Sequence, residues 1–165
     1  MRLDVGAIAK GFATELVVEE IMAEGFSSGI ISAGGNVRSF GSPLDGVRDK
    51  WGIGIQNPDK FLSTEGESLL DTVFLKDASG VRSGEYQRYY FVEGEKYHHI
   101  IDPKTLMPGD YYKAVTVVTK DSGIADFLST ALFLIPIEES MALAESLEDV
   151  EVIWVMKDGT VVTTE

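Results

Sequence analysis

A chain of 165 residues that is 44% hydrophobic and carries eight Phe, six Tyr and two Trp has the material for one folded domain with its own core, and is too apolar and aromatic for a disordered tail. Its 27 acidic against 14 basic side chains give a formal charge of -13, which repels polyanions and argues against nucleic acid as a partner. The absence of Cys excludes disulfides, thiolate metal sites and a cysteine nucleophile, and no apolar run approaches the roughly 18–20 residues of a membrane span.

From the amino terminus, Leu3 to Val5 reads as the end of a strand, broken by Gly6 ahead of a helical pattern with apolar positions at Ile8, Phe12, Leu16, Ile21 and Met22. The pattern predicts a helix from Ala7 to Glu24, with Gly25 as its C-terminal cap. Gly29 to Ser32 and Asn36 to Phe40 read as strands joined by a tight Gly34-Gly35 turn. Trp51 to Gln56 alternates as a strand does, Asn57-Pro58-Asp59 ends it, Lys60 to Ser68 is a polar loop, and Leu69 to Leu75 resumes as a strand. A short strand then leads into Ser83-Gly84, and Tyr89 to Val92 with Lys96 to Ile100 forms a hairpin around Glu93-Gly94. The β-branched run from Ala114 to Lys120 is of the buried kind, and Asp121 with Ser122 supplies N-cap chemistry for a helix from Gly123 to Leu134. Pro136 interrupts it, a second helix spans Ile137 to Leu147, and Val150 to Met156 pairs with Thr160 to Thr163 across Asp158-Gly159. Locally paired strands with inserted helices predict an α+β fold and one domain over residues 1–165.

Asp126 and Thr130 stand four apart on the predicted helix, so a carboxylate and a hydroxyl project from one face, the oxygen chemistry a hard cation such as Mg²⁺ requires. The alternative is an Asp stabilised by the helix dipole, with Thr130 bonding back to a carbonyl. His98 and His99 are adjacent on a strand and face opposite ways, so at most one enters a given site. Asp4 to Gly11 places a strand end, a glycine and a helix start together, where unpaired amides favour a phosphate and Lys10 adds its charge. The Gly34-Gly35-Asn36 turn permits close backbone approach or is a plain hairpin turn. Ser83-Gly84-Glu85-Tyr86-Gln87-Arg88-Tyr89-Tyr90 offers aromatics beside an arginine, for stacking on a planar ligand or for packing a sheet edge.

Taken in order, Asp4-Val5-Gly6-Ala7-Ile8-Ala9-Lys10-Gly11-Phe12-Ala13, Gly34-Gly35-Asn36, Trp51-Gly52-Ile53-Gly54-Ile55-Gln56-Asn57-Pro58, Ser83-Gly84-Glu85-Tyr86, His98-His99-Ile100-Ile101-Asp102-Pro103-Lys104-Thr105 and Ala125-Asp126-Phe127-Leu128-Ser129-Thr130-Ala131-Leu132 resemble, nearly end to end, the ApbE family of FAD:protein FMN transferases. The resemblance implies a T-fold-like α+β architecture, FAD as bound substrate, and Mg²⁺ held by the backbone oxygen at Ala7 with the side chains of Asp126 and Thr130. It implies transfer of FMN to a Thr or Ser of a target protein with AMP leaving, outside the cytoplasm. The expected flavin-nucleotide contacts are Lys10, Gly34, Gly35, Asn36, Ser83, Gly84 and His99. His99, which directly precedes the Ile-Ile-Asp-Pro segment, is expected to be the acid/base or acceptor-orienting group, with Asp126 as the other catalytic residue.

Two departures from the family pattern stand out. The family carries roughly another hundred residues ahead of the Asp4 block, so this chain reads as its carboxyl-terminal portion, with no leader or lipobox of its own, and Leu106 occupies a turn position that is normally glycine. That turn must avoid positive φ or accept strain. The competing functions are a Mg²⁺-dependent FAD pyrophosphatase, since water can replace the acceptor hydroxyl, and a non-catalytic flavin-binding module.

Overall fold

The computed structural model describes residues 4–60, 68–86 and 88–164. Its elements run α1 (Ala9–Ala23), β1 (Gly29–Ala33), β2 (Asn36–Phe40), β3 (Trp51–Gln56), β4 (Leu69–Leu75), β5 (Ser79–Gly84), β6 (Tyr89–Val92), β7 (Glu95–His98), β8 (Tyr112–Thr119), α2 (Ser122–Phe133), α3 (Ile137–Glu145), β9 (Glu151–Met156) and β10 (Val161–Thr163). One six-stranded sheet has the order β1-β2-β5-β8-β9-β10, while β3–β4 and β6–β7 form separate two-stranded ribbons. Every pairing is antiparallel, which makes the fold α+β as the sequence pattern predicts.

The core lies between this sheet and α2. Val81 of β5 with Val115 and Val117 of β8 packs against Ala125, Leu128, Leu132 and Phe133 of α2, closed by Trp154 of β9. Burying each large apolar side chain contributes roughly 1.5–3 kcal/mol. The Asp121 carboxylate accepts the Ile124 N–H at 2.7 Å and so caps the helix start. Ser140 of α3 receives the Trp154 indole N–H at 2.8 Å and donates to the Leu132 carbonyl at 3.2 Å, which ties both helices to the sheet.

Helix α1 crosses α2 at Gly11, where a Cβ would lie 2.1 Å from the Ser122 carbonyl oxygen and 2.6 Å from the Asp126 Cβ. The contact therefore uses the small face Gly11, Thr14 and Val18, and the apolar stripe of Ile8, Phe12, Leu16 and Met22 stays exposed. Glu15 braces the crossing: its carboxylate accepts from Arg38 at 2.8 Å and from the Ser122 amide at 2.8 Å. Burial pushes this carboxyl up, but the bonds from Arg38 and Ser122 outweigh burial and hold it below the ordinary value.

Two expectations need correction, and one open choice is decided. Asp4 and Val5 are not strand: the Asp4 carboxylate accepts the Gly6 N–H at 2.8 Å and the Val5 carbonyl accepts from Ile8 and Ala9, so the segment turns directly into α1. The second strand of the β6–β7 ribbon stops at His98, because the chain bends there to form the Ile101–Pro108 bridge. Leu106 takes the strained option, with φ 60. Its N–H donates to the Asp102 carbonyl at 2.8 Å, which holds the turn closed. The polar loop expected between Lys60 and Ser68 falls on residues 61–67, outside the described residues, as do Leu3 and Gln87.

Candidate active site

A cavity of about 530 Å³ opens where the start of α1, the Gly34-Gly35 turn, the end of β5, the segment after β7 and one face of α2 meet. Ala7, Lys10, Gly34, Gly35, Ser83, Gly84, His99, Asp126 and Thr130 all line it, although they are scattered from residue 7 to residue 130 of the sequence.

Its floor is Asp126, only 4% exposed. One carboxylate oxygen accepts the Gly11 N–H at 2.8 Å and the other faces the Lys10 ammonium at 3.3 Å. Gly11 thus has two roles: without a side chain it lets α1 approach, and its amide then reaches the carboxylate. Thr130, a turn further along α2, has its hydroxyl 3.2 Å from that of Ser83 and a long 3.4 Å from the Asp126 carbonyl. Ser83 in turn lies 2.9 Å from Ser129, so β5 and α2 are joined through hydroxyls under the cavity.

These residues fit a hard divalent ion. A carboxylate withdrawn from water requires compensating positive charge, and here one oxygen already draws the Lys10 ammonium toward it. Among the described residues there is no cluster of three or more His, Asp or Glu able to hold a metal. An ion at this place would find one carboxylate and one hydroxyl from side chains, oxygen donors of the kind a hard divalent ion takes and too few for a closed structural site.

The two histidines diverge as their adjacency predicts. His98 is buried: its Nε2–H donates to the Gly109 carbonyl at 2.8 Å, its Nδ1 accepts from the Ile100 amide at 3.3 Å, and the ring packs edge-on against Phe133. Burial pushes its pKa below the ordinary histidine value. His99 lines the cavity, and its Nδ1–H points to the Arg88 carbonyl at 3.4 Å. Because a carbonyl can only accept, this tautomer leaves the Nε2 lone pair available as a base.

Asn36 does not belong to the lining. It is fully buried, and its side-chain oxygen accepts from the Ser122 hydroxyl at 2.8 Å, so it locks β2 to the start of α2. Of the two alternatives for the aromatics around Arg88, those on the β6–β7 ribbon take the sheet-packing one. Tyr90 stacks on Tyr97, Tyr89 lies under the Lys96 ammonium, and Tyr86 lies beneath the guanidinium of Arg82. Arg88 and Arg82 both line the cavity, and Arg82 was not among the residues singled out from sequence. The available signal was a full charge in the interior of an otherwise small and apolar strand, Ser79-Gly80-Val81-Arg82-Ser83-Gly84. Lys10 and Arg88 balance Asp4 and Asp126 along the lining, so the cavity is free of the acidic surplus of a chain of net charge -13, and Arg82 is a further cation at its border.

The sequence model of the ApbE family matches residues 1–154. The chain is 34% identical, over 98% of its length, to a protein of Treponema pallidum (strain Nichols) named FAD:protein FMN transferase, and covers 45% of it. A protein of the same name from Klebsiella pneumoniae (strain 342) is 32% identical over 98% of the chain, which covers 48% of that relative. Among solved structures, the ApbE protein of Thermotoga maritima matches with a TM-score of 0.87 and 30% identity, over 99% of this chain and 52% of that one. The apo form of the Pseudomonas stutzeri flavinyl transferase ApbE matches with a TM-score of 0.76 and 32% identity, over 99% and 49%. The chain spans about half the length of the relatives it matches.

Proposed function

The chain belongs to the ApbE family, and we propose that its cavity serves the Mg²⁺-dependent transfer of FMN from FAD to a Thr or Ser hydroxyl of a target protein, with AMP released. The observation that carries this reading is the buried Asp126 carboxylate, held by the Gly11 amide and facing Lys10, at the floor of a cavity that Arg88 and His99 also line.

The acceptor hydroxyl oxygen forms a bond to the phosphorus of the FMN phosphate, and the bond from that phosphorus to the bridging oxygen breaks. The electron pair leaves with AMP. His99 Nε2 takes the hydroxyl proton, while the Nδ1–H contact to Arg88 fixes the ring orientation. Lys10 and Arg88 hold negative charge on the diphosphate, and the Gly34-Gly35 turn, free of side chains, lets the nucleotide approach the backbone. Bound at Asp126, Thr130 and the Ala7 carbonyl, Mg²⁺ would supply further neutralisation of phosphate charge. The work left to the protein is positional and electrostatic.

The test is to mix the protein with FAD, Mg²⁺ and a target domain that carries an acceptor Thr or Ser, then to look for flavin covalently attached to the target. Covalent transfer is the expected result. Free FMN with no labelled target identifies a pyrophosphatase, and unconsumed FAD a binding module. His99→Ala should slow transfer by about 10²–10⁴-fold while FAD affinity is kept, and unaltered turnover in that variant would remove His99 from the chemistry.

A further inference from the structure

Arg82 sits on β5, an inner strand of the main sheet, where its backbone N–H donates to the Gly35 carbonyl at 2.9 Å. Its neighbours Val81 and Ser83 face α2, so the Arg82 side chain leaves the sheet on the other side, next to its cross-strand partner Thr116. There it meets a smaller cavity of about 130 Å³ beneath the β3–β4 ribbon, which shares Gly34, Gly35 and Arg82 with the larger one.

The guanidinium is poorly accommodated in this place. Nη1 donates to the Gln56 carbonyl and the group lies 5.1 Å from the centre of the Tyr86 ring, but Nε and Nη2 are sealed from solvent with no acceptor. The hydroxyl of Thr116, a residue 2% exposed, also lacks a partner. Among the described residues no carboxylate pairs with Arg82, although the same protein pairs Glu15 with Arg38 and Asp126 with Lys10. A buried cation with two idle donors destabilises the fold that holds it, and burial depresses its pKa for the same reason. An apolar side chain of similar length would serve the strand better unless the charge has a use.

We propose that Arg82 is an anion-binding residue of the nucleotide cavity, its guanidinium turning from the Gln56 carbonyl toward the Gly34-Gly35 turn to take phosphate oxygens of the flavin nucleotide. Rotation is required because Nε and Nη2 are closed off in the present conformation, and its goal is near because Arg82, Gly34 and Gly35 line both cavities. A forked guanidinium matches two oxygens of one phosphate, a geometry Lys10 cannot supply. This inference rests on the flavin-nucleotide reading of the cavity and assigns one residue to recognition of the phosphates.

The experiment compares Arg82→Met and Arg82→Lys with the wild type, reading melting temperature without ligand and affinities for FAD, FMN and riboflavin by flavin fluorescence. Expected are a higher melting temperature for Arg82→Met without ligand, FAD and FMN affinities weakened roughly tenfold or more, and a riboflavin affinity kept within about twofold, with Arg82→Lys in between. Equal loss of riboflavin, which carries no phosphate, would overturn the assignment. So would unchanged FAD affinity, and a lowered melting temperature with unchanged affinities would mark Arg82 as a strut for β3. ADP is the control for the reading beneath: a wild type that binds ADP but no flavin refutes the flavin function while Arg82→Met still tests phosphate binding. A wild type that binds neither overturns both.

Discussion

Asp126 and Arg82 stand on two sides of one cavity and are satisfied to opposite degrees. The carboxylate has an amide on one oxygen and an ammonium facing the other, held there by a helix crossing that only glycine permits. The guanidinium has one carbonyl, one aromatic ring and two idle nitrogens. The floor is pre-organised before any ligand arrives, whereas the wall reaches its best state only when an anion enters. Folding alone thus satisfies Asp126 and leaves Arg82 with unmet donors.

The site is most vulnerable at its floor. Asp126→Asn keeps the shape but removes the charge that draws Lys10 and would hold Mg²⁺, so transfer should fall by about 10³-fold or more, measured as single-turnover labelling of a target. A fall of less than tenfold would mean that Asp126 is a structural brace. Gly11→Ala attacks the same place through packing: its methyl would lie 2.1 Å from the Ser122 oxygen. Overpacking against backbone should destabilise the protein by about 3 kcal/mol, a drop of roughly 6–12 °C in melting temperature.

Acid loosens the frame around the floor. His98 has a folded pKa below its ordinary 6.5, so below that pH the unfolded chain binds a proton that the folded chain refuses. Its contribution is complete above pH 6.5 and declines as pH falls through the lowered folded value. Glu15 also has a depressed folded pKa, so its contribution is complete above about 4.5 and is lost below, again as pH falls through the folded value. Melting temperature against pH should therefore fall in two stages, with His98→Gln flattening the upper one and Glu15→Gln the lower one. The smallest effect is expected at Leu106→Gly, which relieves a left-handed backbone and should stabilise by about 1 kcal/mol, a gain of a few degrees in a thermal melt.

Much of this was legible in sequence because local chemistry fixed it. The Gly34-Gly35 turn, the Asp121 cap and the β-branched strand β8 each follow from a few neighbouring residues. That Asp126 and Thr130 share a face follows from the helix period, whereas the histidines part where β7 ends at His98 and the chain bends. What could not be read depends on long-range crossings. The apolar positions of α1 marked it as a helix but not its docking face: it docks through Gly11, Thr14 and Val18, because a close crossing with α2 selects for smallness. Asn36 looked like part of a ligand turn, but its partner is Ser122, which is 86 residues away. Arg82 was hidden for the same reason: its neighbours Gly35, Gln56, Tyr86 and Thr116 assemble only when β5 lies between β2 and β8 with the β3–β4 ribbon against it.

Whether the Asp126 floor binds a flavin nucleotide together with a divalent ion is read from titration of FAD with and without Mg²⁺, followed by flavin fluorescence. A strong fluorescence change that appears with Mg²⁺ and disappears with a chelator is the predicted result. Binding of equal strength in chelator, or no binding at any Mg²⁺ concentration, would contradict it.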